Sequence, residues 1–319
     1  MQRRTVSTTL LLAALVWLSD ARADSTSPNP QERQMYSGFH HLRVDNPLGS
    51  RSFPAIVQYP TFTPPSGLQL GPYRFEATLD APIAEGSLPV CVISHGGGGS
   101  HLLYRTIATH LARNGYIVVS LEHPGDNRND TSLSNTDAAA AQRPLHASLA
   151  IDAVLTSPAL RSSANGARVC AIGHSMGGYT ILALLGGHPW SSTGQPIETK
   201  ADHRIRAAVL LAPSTDWFLA PGAMSDVSAP LLVVTAELDE ITPTHRVAQA
   251  LSKLPSSTSL VSREVRGAGH YSFLSPFPPE MRRKDFPPST DPEGFDRDRF
   301  HVDLPEMILE YLSQAMPIR

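Results

Sequence analysis

The chain has 319 residues, 41% of them hydrophobic and 17% charged, an ordinary globular composition with enough apolar content for one large core. The formal net charge is −3, and no run of Lys or Arg is long enough to mark a nucleic-acid or lipid-headgroup patch. A basic stripe for nucleic acid or anionic lipid is therefore excluded.

The N-terminus reads as a targeting segment. Arg3 and Arg4 give a positive start, residues 8–18 an apolar stretch, and Ala21-Arg22-Ala23 a small-x-small cleavage pattern. A signal peptide over residues 1–23 is expected, with a mature chain from about Asp24 in the periplasm or outside the cell. The apolar stretch is too short to serve as a stable membrane anchor. Export would permit a disulfide between Cys91 and Cys170. Two buried free thiols are the other reading.

Apolar runs bounded by Gly and Pro predict strands at 39–44 and 53–59, with a further short strand within 73–79. Then the pattern becomes regular. A strand at 90–94 is followed by a helix over 101–113, a strand at 116–121, and a helix over 144–156 with Pro144 in its first turn. A strand at 169–172 leads to a helix over 176–185. Strands at 207–212 and 231–236, a helix over 242–254, a strand at 259–265 and a closing helix over 303–315 complete the order. Strands alternating with helices imply an α/β fold, a mostly parallel sheet with helices on both faces. Residues 24–319 are expected to form a single domain, with 186–204 and 275–300 as loops over a site at the carboxyl ends of the strands.

Gly173-His174-Ser175-Met176-Gly177 matches G-x-S-x-G and lies between a predicted strand and a predicted helix. That context defines a nucleophile elbow of the α/β-hydrolase type, where small neighbours let the backbone turn sharply around Ser175. A serine hydroxyl needs a base. His270, after the last predicted strand, stands in the right chain order and place. Asp239, a few residues beyond the strand at 231–236, is chosen as its orienting acid over Glu237 and Glu240. Oxyanion donors are expected from the amides of Met176 and of Gly97 in His95-Gly96-Gly97-Gly98-Gly99. Glu122-His123-Pro124-Gly125-Asp126-Asn127 reads as loop bonding that shapes the site, with His123 and Asp126 a weak start for a metal site. Trp217 and Phe218, with Trp190, are candidates for a pocket wall or for core packing. No cofactor and no metal is implied.

Together these runs resemble the bacterial proteins called predicted dienelactone hydrolases, which are similar to platelet-activating-factor acetylhydrolase. The resemblance is carried by residues 94–100, Glu122 to Asp126, Gly173 to Tyr179, Gly267 to His270 with Phe273, and Asp291-Pro292-Glu293-Gly294-Phe295-Asp296-Arg297. It spans roughly 36–315 and implies cofactor-free hydrolysis of a small or lipid-like ester through an acyl-enzyme. The elbow holds serine where true dienelactone hydrolase has cysteine, which argues against its lactone substrate. The elbow is also similar to that of secreted polyester hydrolases and cutinases, although their aromatic oxyanion loop is not evident. A peptidase or amidase, an acyltransferase, and a non-catalytic binding protein are the remaining readings. The expected partner is a small-molecule ester, and the sequence sets no oligomeric state.

Overall fold

The structure, a computed structural model, describes residues 34–47 and 52–317. The expected signal peptide therefore lies outside the described residues. In chain order the elements are β1 (Tyr36–Val44), β2 (Phe53–Thr61), β3 (Leu68–Leu70), β4 (Tyr73–Phe75), β5 (Ala77–Leu79), β6 (Leu88–Ser94), α1 (Arg105–Arg113), β7 (Ile117–Leu121), α2 (Asp137–Thr156), β8 (Ala164–His174), α3 (Met176–Leu184), β9 (Ile205–Leu211), β10 (Leu231–Ala236), α4 (Thr244–Leu251), β11 (Leu260–Val265) and α5 (Arg297–Ala315).

Nine strands form one sheet in the order β11-β10-β9-β8-β6-β7-β2-β1-β5. β6 to β11 run parallel to one another, while β2 is antiparallel to both β7 and β1. After β6 the chain moves out to β7, then returns across β6 to place β8 on its other side. That reversal opens a crevice beyond the carboxyl ends of β6 and β8.

Alternation along each strand feeds two apolar layers. In β6, Val90 and Val92 join the layer built on α2, α3 and α4, whereas Cys91 and Ile93 join the layer built on α1 and α5. Both faces are covered, which is why the central strands read as continuous apolar runs rather than alternating ones. Cys91 and Cys170 face each other across the β6–β8 register and are both free thiols, fully buried. Burial pushes the Cys91 thiol well above its ordinary value.

Two helices start earlier than expected. α2 begins at Asp137, with the Thr136 hydroxyl accepting the Ala139 amide as its cap. Pro144 consequently lies inside the helix and cannot donate to the carbonyl of Ala140. The Tyr179 hydroxyl of α3 supplies the missing donor at 3.1 Å. α5 begins at Arg297, capped by Asp296, whose side chain accepts the Arg299 amide. The expected strand within 73–79 is split into β4 and β5, and β3 was not anticipated. β3 has three residues, fewer than pattern reading needs. Among the described residues no helix is long and apolar enough to cross a membrane.

Replacing Tyr179 with Phe leaves the Ala140 carbonyl buried and unbonded. It should lower the unfolding free energy by about 2 kcal/mol in urea titration. An unchanged midpoint would mean that the proline inside α2 needs no compensation.

Candidate active site

The site forms where four parallel strands end. β8 runs into Ser175 and then α3, β6 runs into the glycine loop at 96–99, β10 leads to Asp239, and β11 leads to His270 in a short 3-10 turn. Ser175 has φ 54° and ψ −121°, a left-handed conformation that is strained for a residue with a side chain. Backbone packing holds it there. A Cβ on Gly177 would lie 1.9 Å from the Ser94 carbonyl oxygen, and one on Gly173 would lie 2.2 Å from the Gly177 carbonyl oxygen. Only glycine lets the start of α3 approach β6 so closely. The Ser175 amide donates to Leu211 at 3.0 Å, and its carbonyl accepts from Ser214 at 2.9 Å.

His270 Nδ1 lies 2.8 Å from Asp239 Oδ2, with the two side chains 6% and 0% exposed. Asp239 Oδ1 also accepts the amides of Ile241 and Thr242, each at 2.8 Å, and the Thr242 hydroxyl lies 2.8 Å from Oδ2. Burial alone would raise this carboxyl. The hydrogen bonds from His270 and Thr242 outweigh it and hold the carboxyl below its ordinary value. The carboxylate therefore accepts the Nδ1 proton, leaving Nε2 as the ring nitrogen that can take one. Glu237 and Glu240 do not compete for His270. Glu237 does more than sit in solvent, because its Oε2 accepts the Gly267 amide at 2.8 Å and so braces the His270 loop.

Ser175, His270, Gly97, Met176 and Trp217 line one cavity of about 1010 Å³. In the glycine loop the Gly96 amide donates to the Tyr104 hydroxyl (3.3 Å), that of Gly98 to Asp126 (2.9 Å) and that of Gly99 to the Gly96 carbonyl (3.1 Å). Gly97 is the member of the run whose amide has no partner among the described residues. It sits beside Met176, since a Cβ on Gly97 would be 3.5 Å from Met176 Cγ. Phe218 is placed elsewhere. It is 0% exposed and packs against Tyr179 beneath α3, so its apolar ring belongs to the core and not to the cavity wall. Trp190 also packs into that apolar layer. The stretch 186–204 lines none of the cavity. Phe277, Phe286 and Pro288 of the stretch 275–300 do, together with residues of 128–135.

Several supports join segments that are distant in the chain. Arg143, 1% exposed, donates to Asp126 Oδ2 at 2.6 Å, to the Thr180 hydroxyl at 3.0 Å and to the His95 carbonyl. Asp126 in turn accepts the Gly98 amide and the Ser134 hydroxyl at 2.5 Å. This buried pair ties the glycine loop to α2 and α3. His174, the variable residue of the elbow, donates from Nε2 to the His270 carbonyl at 3.0 Å and accepts the Tyr104 hydroxyl on Nδ1 at 3.0 Å. Because the carbonyl can only accept, Nε2 carries the proton, and burial keeps the ring neutral. Ser272 bonds Asp291 at 2.7 Å, and Arg297 grips Asp291 with bonds of 2.9 to 3.1 Å. The Asp291-to-Arg297 stretch thus anchors the turn that carries His270. Contacts between segments so far apart in the chain leave no local signature.

The weak metal reading does not assemble. His123 bonds the Ser94 hydroxyl at 2.8 Å, Asp126 is committed to Arg143, and among the described residues no group of three candidate ligands converges.

A model of the α/β hydrolase fold matches residues 89–229. Cutinase 2 of Thermobifida cellulosilytica is 28% identical over 196 residues, 61% of this chain and 65% of that protein. Bis(hydroxyethyl) terephthalate hydrolase of Streptomyces coelicolor is 27% identical over 190 residues, 59% of this chain and 52% of that protein. The chain thus matches less than two thirds of the length of these relatives. In structure it is similar to a ferulic acid esterase from Streptomyces cinnamoneus, with a TM-score of 0.67 at 19% identity over 92% of this chain and 93% of that one. The chain has the α/β-hydrolase fold, as the alternation of strands and helices and the elbow motif led one to expect.

Two predictions follow from the buried charges. Asp126→Ala strands the Arg143 guanidinium and should cost about 3 to 5 kcal/mol of stability in chemical denaturation. A loss within error of zero would contradict the clamp. Burial holds His146 and His301 at about 4 and His174 at about 3, and drives His95 and His123 well below their ordinary value. In the unfolded chain these rings take protons below about pH 6.5 while the folded chain does not. Stability should be level above about pH 7 and fall steadily as the pH drops from about 6.5 towards 4. A urea midpoint independent of pH across that window would show that the folded rings take up protons as readily as the unfolded ones.

Proposed function

We propose that the protein is a serine-dependent carboxylic ester hydrolase acting through an acyl-enzyme. One observation carries the reading. A histidine paired with a buried aspartate lines the same cavity as a serine held at a strained strand-to-helix turn. In this mechanism Ser175 Oγ attacks the ester carbonyl carbon and its proton passes to His270 Nε2. Asp239 stabilises the imidazolium, and the oxyanion is met by the amides of Gly97 and Met176. Collapse expels the alcohol, which takes the proton from His270. Water then repeats the sequence on the acyl-serine and releases the acid. No cofactor enters any step.

The finer resemblance, to the platelet-activating-factor-acetylhydrolase-like group, rests on the sequence motifs. A second reading is favoured by the relatives themselves, which are a cutinase and a terephthalate ester hydrolase. It is that the site accepts ester groups of a polymer chain, which release of soluble acid from a polyester film would show. Export behind a cleaved leader is part of the proposal, and the N-terminal sequence of protein recovered outside the cytoplasm, starting near Asp24, would support it.

Ser175→Ala should reduce kcat on p-nitrophenyl esters by at least about a thousandfold with little change in KM, and Asp239→Asn by a similar order. Parallel amide substrates separate an esterase from an amidase, and added alcohol reveals an acyltransferase. Near wild-type turnover in Ser175→Ala would overturn the assignment.

A further inference from the structure

The cavity wall is uneven in charge. Its lining contains no Asp, Glu or Lys, and a single arginine, Arg128. His174 faces the same space but is neutral, for the reasons above. Among the described residues Arg128 therefore carries the one permanent charge on the wall of a cavity that holds the proposed nucleophile.

Three observations distinguish this arginine from an ordinary solvated side chain. First, it forms no ion pair among the described residues, whereas Arg143 and Arg297 are each matched by an aspartate at 2.6 and 2.9 Å. Second, it stands on a fastened turn. Its amide donates to the Gly99 carbonyl at 2.8 Å, and the Asn127 side chain accepts the amides of Asn129 and Asp130 at 2.9 and 3.0 Å. The backbone that carries the guanidinium is thus tethered to the glycine loop itself. Third, its charge is felt inside the cavity. Burial raises the Tyr73 phenol, and the Arg128 charge is the foremost influence opposing that rise.

The opposite character is found close by. On the apolar side of the lining Phe286 is the half-buried ring, backed edge-on by the buried rings of Phe277 and Tyr73 at centroid distances of 5.5 and 6.2 Å. A ligand that filled both halves would have an apolar stem and a negative end.

We propose that the site selects esters in which one arm ends in a carboxylate, docked on Arg128, with the stem lying on the apolar side of the cavity at Phe286. The proposal rests on the ester-hydrolase reading and narrows it to a substrate class. An exposed cation on an ordered turn offers a carboxylate a charged hydrogen bond without the cost of desolvating a deeply buried ion. Arg128 acts on specificity and not on the chemistry, since it bonds none of Ser175, His270 and Asp239.

The test compares carboxylates with their neutral carboxamide isosteres, in each arm separately. p-Nitrophenyl hydrogen glutarate against p-nitrophenyl glutaramate places the charge on the acyl side. p-Carboxyphenyl butyrate against p-carbamoylphenyl butyrate places it on the alcohol side. Rates in Ser175→Ala are subtracted throughout. In at least one arm the wild-type protein should favour the carboxylate by about tenfold in kcat/KM, chiefly through KM, and added salt should shrink the ratio. Arg128→Gln should bring that ratio close to one, and Arg128→Glu should push it below one. A wild-type ratio near one in both arms overturns the proposal while leaving the esterase reading intact, provided the neutral esters are cleaved in a Ser175-dependent way. A preference that survives in Arg128→Gln overturns it equally. If no ester is cleaved in a Ser175-dependent way, both readings fall.

Discussion

Everything at this site depends on how closely the first turn of α3 is pressed against the end of β6. The Gly177 backbone lies where any side chain would overlap the Ser94 carbonyl, and Gly173 is held equally tightly against Gly177. That contact holds Ser175 in its left-handed conformation at the mouth of the crevice, and it sets Met176 alongside Gly97. The parallel register of β6 and β8 fixes where the two strands end. The reversal of strand order at β6 leaves the space above them open. Local strain, sheet register and topology are therefore one constraint seen at three scales.

Around this contact the interior is arranged so that charge is either matched or absent. Arg143 is among the most deeply buried side chains of the protein and is met by Asp126, Thr180 and a backbone carbonyl. Unpaired, such an ion would be strongly destabilising. Three buried imidazoles nearby, His95, His123 and His146, are kept neutral, first by burial and next by the field of that arginine. His174 is kept neutral by burial as well, and its ring is oriented between Tyr104 and the His270 backbone. The glycine loop, the elbow and the His270 turn are thereby joined by hydrogen bonds, a rigidity that the proposed oxyanion binding would require.

Much of this was legible in the sequence because it is local. The period of apolar runs showed the parallel strands, and G-x-S-x-G placed Ser175 between a strand and a helix. The chain order selected His270, and the end of β10 selected Asp239. What was not legible depends on distance in space. Pro144 resembled a helix start because a proline at the first turn costs nothing, and only Tyr179, 35 residues on, makes it tolerable inside α2. Phe218 shared a loop with Trp217 and looked equally able to line the cavity, yet one ring turns inward and the other out. Arg143 sits in an alanine-rich helix with no motif around it. The stretch 186–204 was read as a cover from length alone, whereas Ile197 packs into the core.

The central claim is geometric: the Ser175 hydroxyl, the His270 ring and the amides of Gly97 and Met176 converge on one point. A crystal structure of the protein after reaction with a fluorophosphonate examines that claim directly. The account predicts phosphorus bonded to Ser175 Oγ, with its free oxygen within about 3 Å of both amides. An adduct on another residue, or a phosphoryl oxygen turned away from Gly97 and Met176, would contradict it.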